Sequence, residues 1–341
     1  MSNSASLNAP SRRVTLDAIA KDARVSASTV SKVLNGRAGV SEQTRRLVEE
    51  KLAASGYIPR AAPDASRVIE VVFYELSTEW ILEALQGIDE VAREMDCTIM
   101  LTKSHDLLDP ERGWAEQVSR RRPLGVILLF SSISAVDMRR LRSRRIPFVV
   151  VDPAREPGLD VPYVGAQNWA GGVAAAQHLI DLGHRSIAAI TGPEQQLCAR
   201  ARLSGFRFAL EMAGVEYRPE FVKWGTFHPE AGRELGLELL RLPDRPTAIF
   251  AGADQQAAGV YQAAGELGLR IPQDLSVLGF DDLPIAQLIW PALSTIRQPI
   301  REMARMAARI ITQPADADHQ QLELATELVV RGSTAPPPAA A

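Results

Sequence analysis

At 341 residues the chain is too long for one small domain and suits a small module joined to a large ligand-binding unit. The net charge of -3 hides an asymmetry, because residues 1–60 carry 10 Lys and Arg against 5 Asp and Glu, a net +5, which leaves -8 on the remainder. A basic module on an acidic body points to nucleic acid at one end only. Two distant cysteines, Cys97 and Cys198, exclude a disulfide framework and offer no metal spacing, so no metal site and no cofactor are expected. They read as free thiols of a reduced compartment. The opening MSNSASLNAPSRR lacks an apolar core, and no stretch approaches a membrane span, so a cytoplasmic protein with no membrane partner is expected.

Residues 1 to about 11 are small and polar and are predicted to be disordered. From Thr15 to Asn35 the spacing predicts two short helices joined by a tight turn. Leu16, Ile19, Ala20 and Ala23 form one apolar face behind a Thr15 cap, and Val30, Val33 and Leu34 form another behind a Ser26 cap. Outward on the second helix are left Ala27, Ser28, Ser31 and Lys32, small or hydrogen-bonding residues able to enter a major groove. Ser41, Thr44, Leu47, Val48 and Leu52 predict a third helix ending near Gly56. A helix-turn-helix domain over 12–60 is the expectation, followed by a linker over 61–68. From Ile69 apolar runs alternate with amphipathic segments: IEVVFY, CTIML, LGVILLF and IPFVVVD, then SIAAIT, TAIFAG and LSVLGFDD. Helices are predicted through Ile81, Leu85 and Ile88, and near 110–121, 134–142, 168–182, 200–213, 229–241 and 254–267. Such alternation predicts parallel sheets covered on both faces, in two lobes over 69–332, with the ligand cleft between them. The Pro/Ala-rich tail, 333–341, has no heptads and is predicted to be disordered.

VSASTVSKVLNG followed by VSEQTRRLVEEKLAASGYIP resembles the N-terminal domain of the lactose-repressor (LacI/GalR) family over residues 13 to 60. GHRSIAAITGP, RLSGFRFAL, IPQDLSVLGFDD and LSTIRQP resemble the periplasmic-binding-protein-like body of the same family. The resemblance implies a transcriptional regulator, most often a repressor, whose operator affinity is controlled by a small sugar between the lobes. It places DNA contacts at Thr15, Ala27, Ser28, Thr29, Ser31, Lys32, Asn35, Ser41 and Thr44. Asp152, Arg202, Asp254, Asp281 and Gln298 it places in or beside the effector cleft. Paired carboxylate and guanidinium groups suit the vicinal hydroxyls of a sugar, and an aromatic ring suits its apolar face. Trp80 and Phe227 are the candidate rings, although each could equally be core; Trp224 and Trp290 read as structural. The linker departs from the family, with Pro63 inside it and Ser66 where the resemblance sets a minor-groove leucine.

The implied partners are palindromic operator DNA, a pentose or small oligosaccharide, and a second copy of the chain, since one helix-turn-helix reads only a half-site. Rival readings are a sugar-acting enzyme and a solute-binding protein. Against the first, no Gly-rich phosphate loop follows a strand, no G-x-S-x-G occurs, and five His with two Cys form no triad. Against the second stands the helix-turn-helix.

Overall fold

The computed structural model describes residues 16–34, 39–55, 67–75, 78–104, 114–130, 132–158, 160–312 and 320–338. Thr15, Asn35, Gly56, Pro63, Ser66 and nearly all of the expected linker lie outside them. Three helices come first, α1 (Leu16–Asp22), α2 (Ala27–Leu34) and α3 (Glu42–Ala54). Ile19, Ala20, Ala23, Val30, Val33 and Val48 meet in one small core, the apolar positions that the helical spacing selects. Ser26 Oγ accepts the Thr29 N–H at 3.1 Å and Ser41 Oγ accepts the Thr44 N–H at 3.2 Å, so both serines cap the helices that follow them.

The body begins with β1 (Val68–Phe73), α4 (Glu79–Glu94), β2 (Thr98–Lys103), α5 (Trp114–Arg121), β3 (Gly125–Leu129), α6 (Ala135–Ser143), β4 (Phe148–Val151) and β5 (Tyr163–Ala166). It continues with α7 (Asn168–Asp181), β6 (Ile187–Thr191), α8 (Leu197–Met212), β7 (Val222–Trp224), α9 (Pro229–Leu240), β8 (Ala248–Ala251), α10 (Asp254–Glu266), β9 (Ser276–Asp281), α11 (Ile285–Leu288) and β10 (Ser294–Arg297). Last come α12 (Ile300–Thr312), β11 (Gln321–Leu324) and β12 (Glu327–Val329). These strands form two six-stranded sheets, ordered β11-β5-β4-β3-β1-β2 and β12-β10-β9-β8-β6-β7. Every pairing is parallel except β10 with β12. Buried Val, Ile and Leu fill the central strands, as sheets covered on both faces require.

The chain passes between lobes three times, at Ala166–Asn168, Arg297–Ile300 and Leu324–Glu327. The first crossing leads directly into the helix that the sequence predicts near 168–182. The second returns α12 and β11 to the first lobe, where Met303, Ala304, Ala307 and Ala308 join its core, and the third takes β12 to the second lobe. Two-lobed α/β architecture behind a three-helix head is therefore the fold.

The expectation of a disordered tail from residue 333 is corrected. Ser333 is fully buried; its hydroxyl accepts the Ser294 N–H at 2.8 Å and donates to the Val277 carbonyl at 2.6 Å, and its carbonyl accepts the Val277 N–H. The Ala335 carbonyl lies 2.9 Å from His184 Nε2. Hydroxyl and backbone groups bonded to the starts of β9 and β10 hold this segment to the second lobe, which its Pro/Ala-rich composition conceals.

Candidate functional site

A cavity of about 240 Å³ lies between the lobes, below the range usual for drug-sized ligands and suited to a small one. It is built from strand ends: Tyr74 follows β1, Phe130 β3, Asp152 β4, Pro193 β6, Thr226 and Phe227 β7 and Ala253 β8, while Asp281 closes β9. This is where ligands sit in parallel α/β sheets. Phe130, Asp152 and Asp281 hold φ of +46°, +50° and +116°, backbone settings costly for non-glycine residues and concentrated at functional sites.

Arg202, on α8, is 3 % exposed and already engaged. Its Nε donates to Asn168 Oδ1 at 2.8 Å and its Nη1 to the Gly252 carbonyl at 2.5 Å, with Asp281 Oδ1 at 3.5 Å. The guanidinium also stacks 3.8 Å from the Phe280 ring centre. Asn168 in turn donates to Asp152 Oδ1 at 3.3 Å, and Gln298 donates to Asp281 Oδ1. One guanidinium thus joins two carboxylates through residues of two crossings. Burial raises the Asp152 carboxyl above its ordinary value and lifts that of Asp281 to about 7, against the opposing pull of Arg202. Burial also pushes the Cys198 thiol, in the same wall, up to about 12. Among the described residues, two buried acceptors in the lining, Asp152 Oδ2 and Gln196 Oε1, find no hydrogen-bond partner.

Three rings from both lobes line the same cavity, Phe227 with its centre 5.7 Å from the Arg202 guanidinium. Trp80 and Phe130 have centres 6.0 Å apart, as do Phe130 and Phe227. Trp80 is buried at 8 % exposure and belongs to the first lobe's core as well as to the cavity wall. Gln256 pins the loops that carry this wall, its Nε2 donating to the Thr191 and Thr226 carbonyls at 3.0 and 2.7 Å. Gly192 leaves the room that the Phe227 ring fills; a Cβ there would come within 2.1 Å of it.

Asp254 is corrected: it does not line the cavity. Its carboxylate accepts the Leu283 N–H at 2.7 Å and the Thr295 hydroxyl at 2.6 Å, fastening the loop after β9 from the first turn of α10. Gln298 also stands outside the lining and acts through Asp281. Phe130, Gln196 and Cys198 escaped the sequence reading, since each lies at a strand end or helix start where no period marks it. Trp290, expected to be structural, is 90 % exposed. Among the described residues no group of three or more His, Cys, Asp and Glu could hold a metal ion.

On the head, Ala27, Ser28 and Lys32 of α2 are exposed, Thr29 and Ser31 half-buried, and Ser41 exposed beside half-buried Thr44 at the start of α3. Ser26 Oγ lies 2.7 Å from Ser28 Oγ and 2.8 Å from Thr29 Oγ1, so the hydroxyls at the front of α2 form one cluster around the cap.

A helix-turn-helix head on a hinged two-lobed body with a cavity at the strand ends defines the class of ligand-binding, DNA-reading regulators. Residues 15–60 match the family of bacterial regulatory proteins, lacI family, and residues 176–334 a periplasmic binding protein-like domain. The chain is 33% identical over 335 residues to the HTH-type transcriptional repressor PurR of Serratia proteamaculans (strain 568), spanning 95% of this chain and 98% of that protein. Among solved structures, the transcriptional regulator CelR in complex with cellobiose is 30% identical, with a TM-score of 0.72 over 94% of this chain and 100% of that one. A ribose-bound LacI family regulator from Enterococcus faecium is 26% identical, with a TM-score of 0.71 over 79% and 99%. The lac repressor dimer bound to operator and the anti-inducer ONPF is 25% identical, with a TM-score of 0.70 over 95% and 100%. The chain belongs to the LacI family: it is a DNA-binding transcriptional regulator with a ligand-binding body. No helix among the described residues is long and apolar enough to cross a membrane.

Proposed function

We propose that this regulator is a cytoplasmic homodimeric repressor that holds a near-palindromic operator and releases it when a small sugar, in the range of a pentose to a small oligosaccharide, fills the interlobe cavity. The observation that carries this reading is the pair of buried acceptors unpartnered among the described residues, Asp152 Oδ2 and Gln196 Oε1, in a cavity also lined by Trp80, Phe130 and Phe227. Sugar hydroxyls would satisfy the acceptors and a ring face would cover the apolar side of the sugar. The solved relatives with cellobiose and ribose support the same class of ligand. No turnover of the ligand is expected.

At the DNA, Ala27 and Ser28 are the base-reading candidates, and Lys32 with Thr29, Ser31, Ser41 and Thr44 are assigned to the backbone; Thr15 and Asn35 complete the proposed set. The dimer rests on the half-site argument and on apolar side chains left outside, notably Leu288 and Trp290 of the second lobe, 79 % and 90 % exposed. The test is selection of binding sites from random DNA, followed by titration of the selected operator complex with a panel of mono- and disaccharides. A near-palindrome and release by one sugar class are expected. Unchanged site preference in Ser28→Arg would refute the assignment of α2 to the groove, and failure of every sugar to release DNA would refute the ligand class.

A further inference from the structure

The first lobe carries a basic patch that the effector cleft does not use. Residues 114–145 hold eight Arg against Glu116 and Asp137, a net +6 on a body whose total is -8. Arg120, Arg121, Arg122, Arg139, Arg142 and Arg145 are exposed. Part of this charge is neutralised locally, since Arg120 pairs with Glu116, Arg121 with buried Glu70 and Arg140 with Asp137. The C-terminal ends of α5 and α6 offset a further half charge or so each. The surplus remains crowded. Burial, and then the charges of Arg122, Arg140 and Arg120, hold the Arg144 guanidinium below its ordinary value.

The place of the patch in the fold says what it meets. Helices α5 and α6 lead into the starts of β3 and β4, which lie with β1 in one parallel sheet. The Leu124 N–H donates to the Val68 carbonyl at 2.8 Å and the Val126 N–H to the Pro147 carbonyl at 2.9 Å, so Arg122 and Arg145 stand around the first residues of β1. This is the end of the lobe away from the cavity, and it is where the chain arrives from the head. The head is close by, with α2 touching α6. Duplex DNA held by α2 carries a phosphate charge for about every 1.7 Å of its axis, and it continues past the head on both sides of the half-site. We infer that the base of the first lobe is a second DNA contact, in which Arg122, Arg145 and their neighbours bind phosphates of the duplex flanking the operator. The inference rests on the groove assignment of α2 and adds a surface outside the head. Such contacts carry no sequence information, so they tighten binding whatever the flanking sequence is.

The test compares two duplexes, the selected operator trimmed to its palindrome and the same operator with about two helical turns of arbitrary sequence added on each side. Affinity of the full chain for both is measured at several salt concentrations. In the parent, the flanks should steepen the salt slope by about 0.9 for each phosphate contacted, hence by at least about 0.9. The double variant Arg122→Asn with Arg145→Asn should lose that increment and hold the trimmed operator within about threefold of the parent. Both positions have positive φ, +51° and +54°, a setting that Asn adopts readily, so the fold is spared. Arg241→Gln, at an exposed position following α9 of the second lobe, should keep the whole increment. No increment in the parent, an increment that survives the double variant, or an equal loss in Arg241→Gln overturns the second contact and leaves the head's reading standing. If the parent does not prefer the trimmed operator to random DNA, the groove assignment of α2 falls, and this inference with it.

Discussion

Two buried carboxylates and one buried guanidinium line the interlobe cleft with a third buried carboxylate, Asp254, behind them, and their balance governs what single substitutions do. Asp152, Asp254 and Asp281 all have carboxyls raised by burial, while Arg202 is the cation facing Asp152 and Asp281. A carboxyl with a raised folded-state value binds its proton more tightly folded than unfolded. Stability from this source is therefore present at low pH and lost as pH rises from the ordinary carboxylate range through about 7. Asp281→Asn removes that dependence: its melting temperature relative to the parent chain should climb between pH 5 and pH 8, and a constant difference would contradict the burial argument. Arg202→Ala acts oppositely, because it leaves Asn168 Oδ1 and the Gly252 carbonyl without their donor and Asp281 without its cation. A loss of about 3–5 kcal/mol is expected in denaturant titration, together with weakened effector response. The resemblance placed Arg202 at the sugar; its burial and three protein partners also make it a packing residue of the second lobe, linked to the first only through Asn168 and Asp152.

At the level of elements, α7 and α8 carry Asn168 and Arg202 and are pressed together backbone to backbone. A Cβ on Gly172 would lie 2.0 Å from the Arg202 carbonyl, and one on Gly205 2.0 Å from the Trp169 carbonyl. Gly172→Ala should therefore push the helices apart, cost about 1–3 kcal/mol as overpacking does, and raise the effector concentration needed for DNA release by moving Arg202. Gly265→Ala is the control: it sits in α10 with nothing within 4 Å, and should be neutral or stabilising by about 0.5–1 kcal/mol. Equal effects in the two variants would sink the close-packing account. The helices themselves were legible, since α6 to α10 follow their apolar periods to within a few residues. What periodicity could not reveal is contact between distant segments. Strand β11 is an edge with half its residues exposed, so its return to the first lobe leaves no apolar run. Asp254 illustrates the complementary error, because a carboxylate after a strand end looks the same in sequence whether it faces a cavity or caps a neighbouring loop.

For the whole molecule, the question is how a basic head of net +5 on a body of net -8 becomes a tight operator complex. Each phosphate contact neutralised by a lysine or arginine releases counterions, so the logarithm of affinity falls with the logarithm of salt by about 0.9 per contact. Lys32 is exposed on α2, beside Ala27 and Ser28 on the proposed reading face. If it touches phosphate in a two-fold dimer, it contributes twice. Lys32→Ala should then lower the salt slope of operator binding by about 1.8, against about 0.9 for a single bound head, and weaken different operators alike. The measurement is operator affinity at several salt concentrations for parent and variant, with sedimentation on the same samples. A drop near 0.9 with a sedimenting monomer would remove the dimer from the mechanism. An unchanged slope with altered sequence preference would instead move Lys32 from the phosphate backbone to a base edge, leaving the groove assignment of α2 intact.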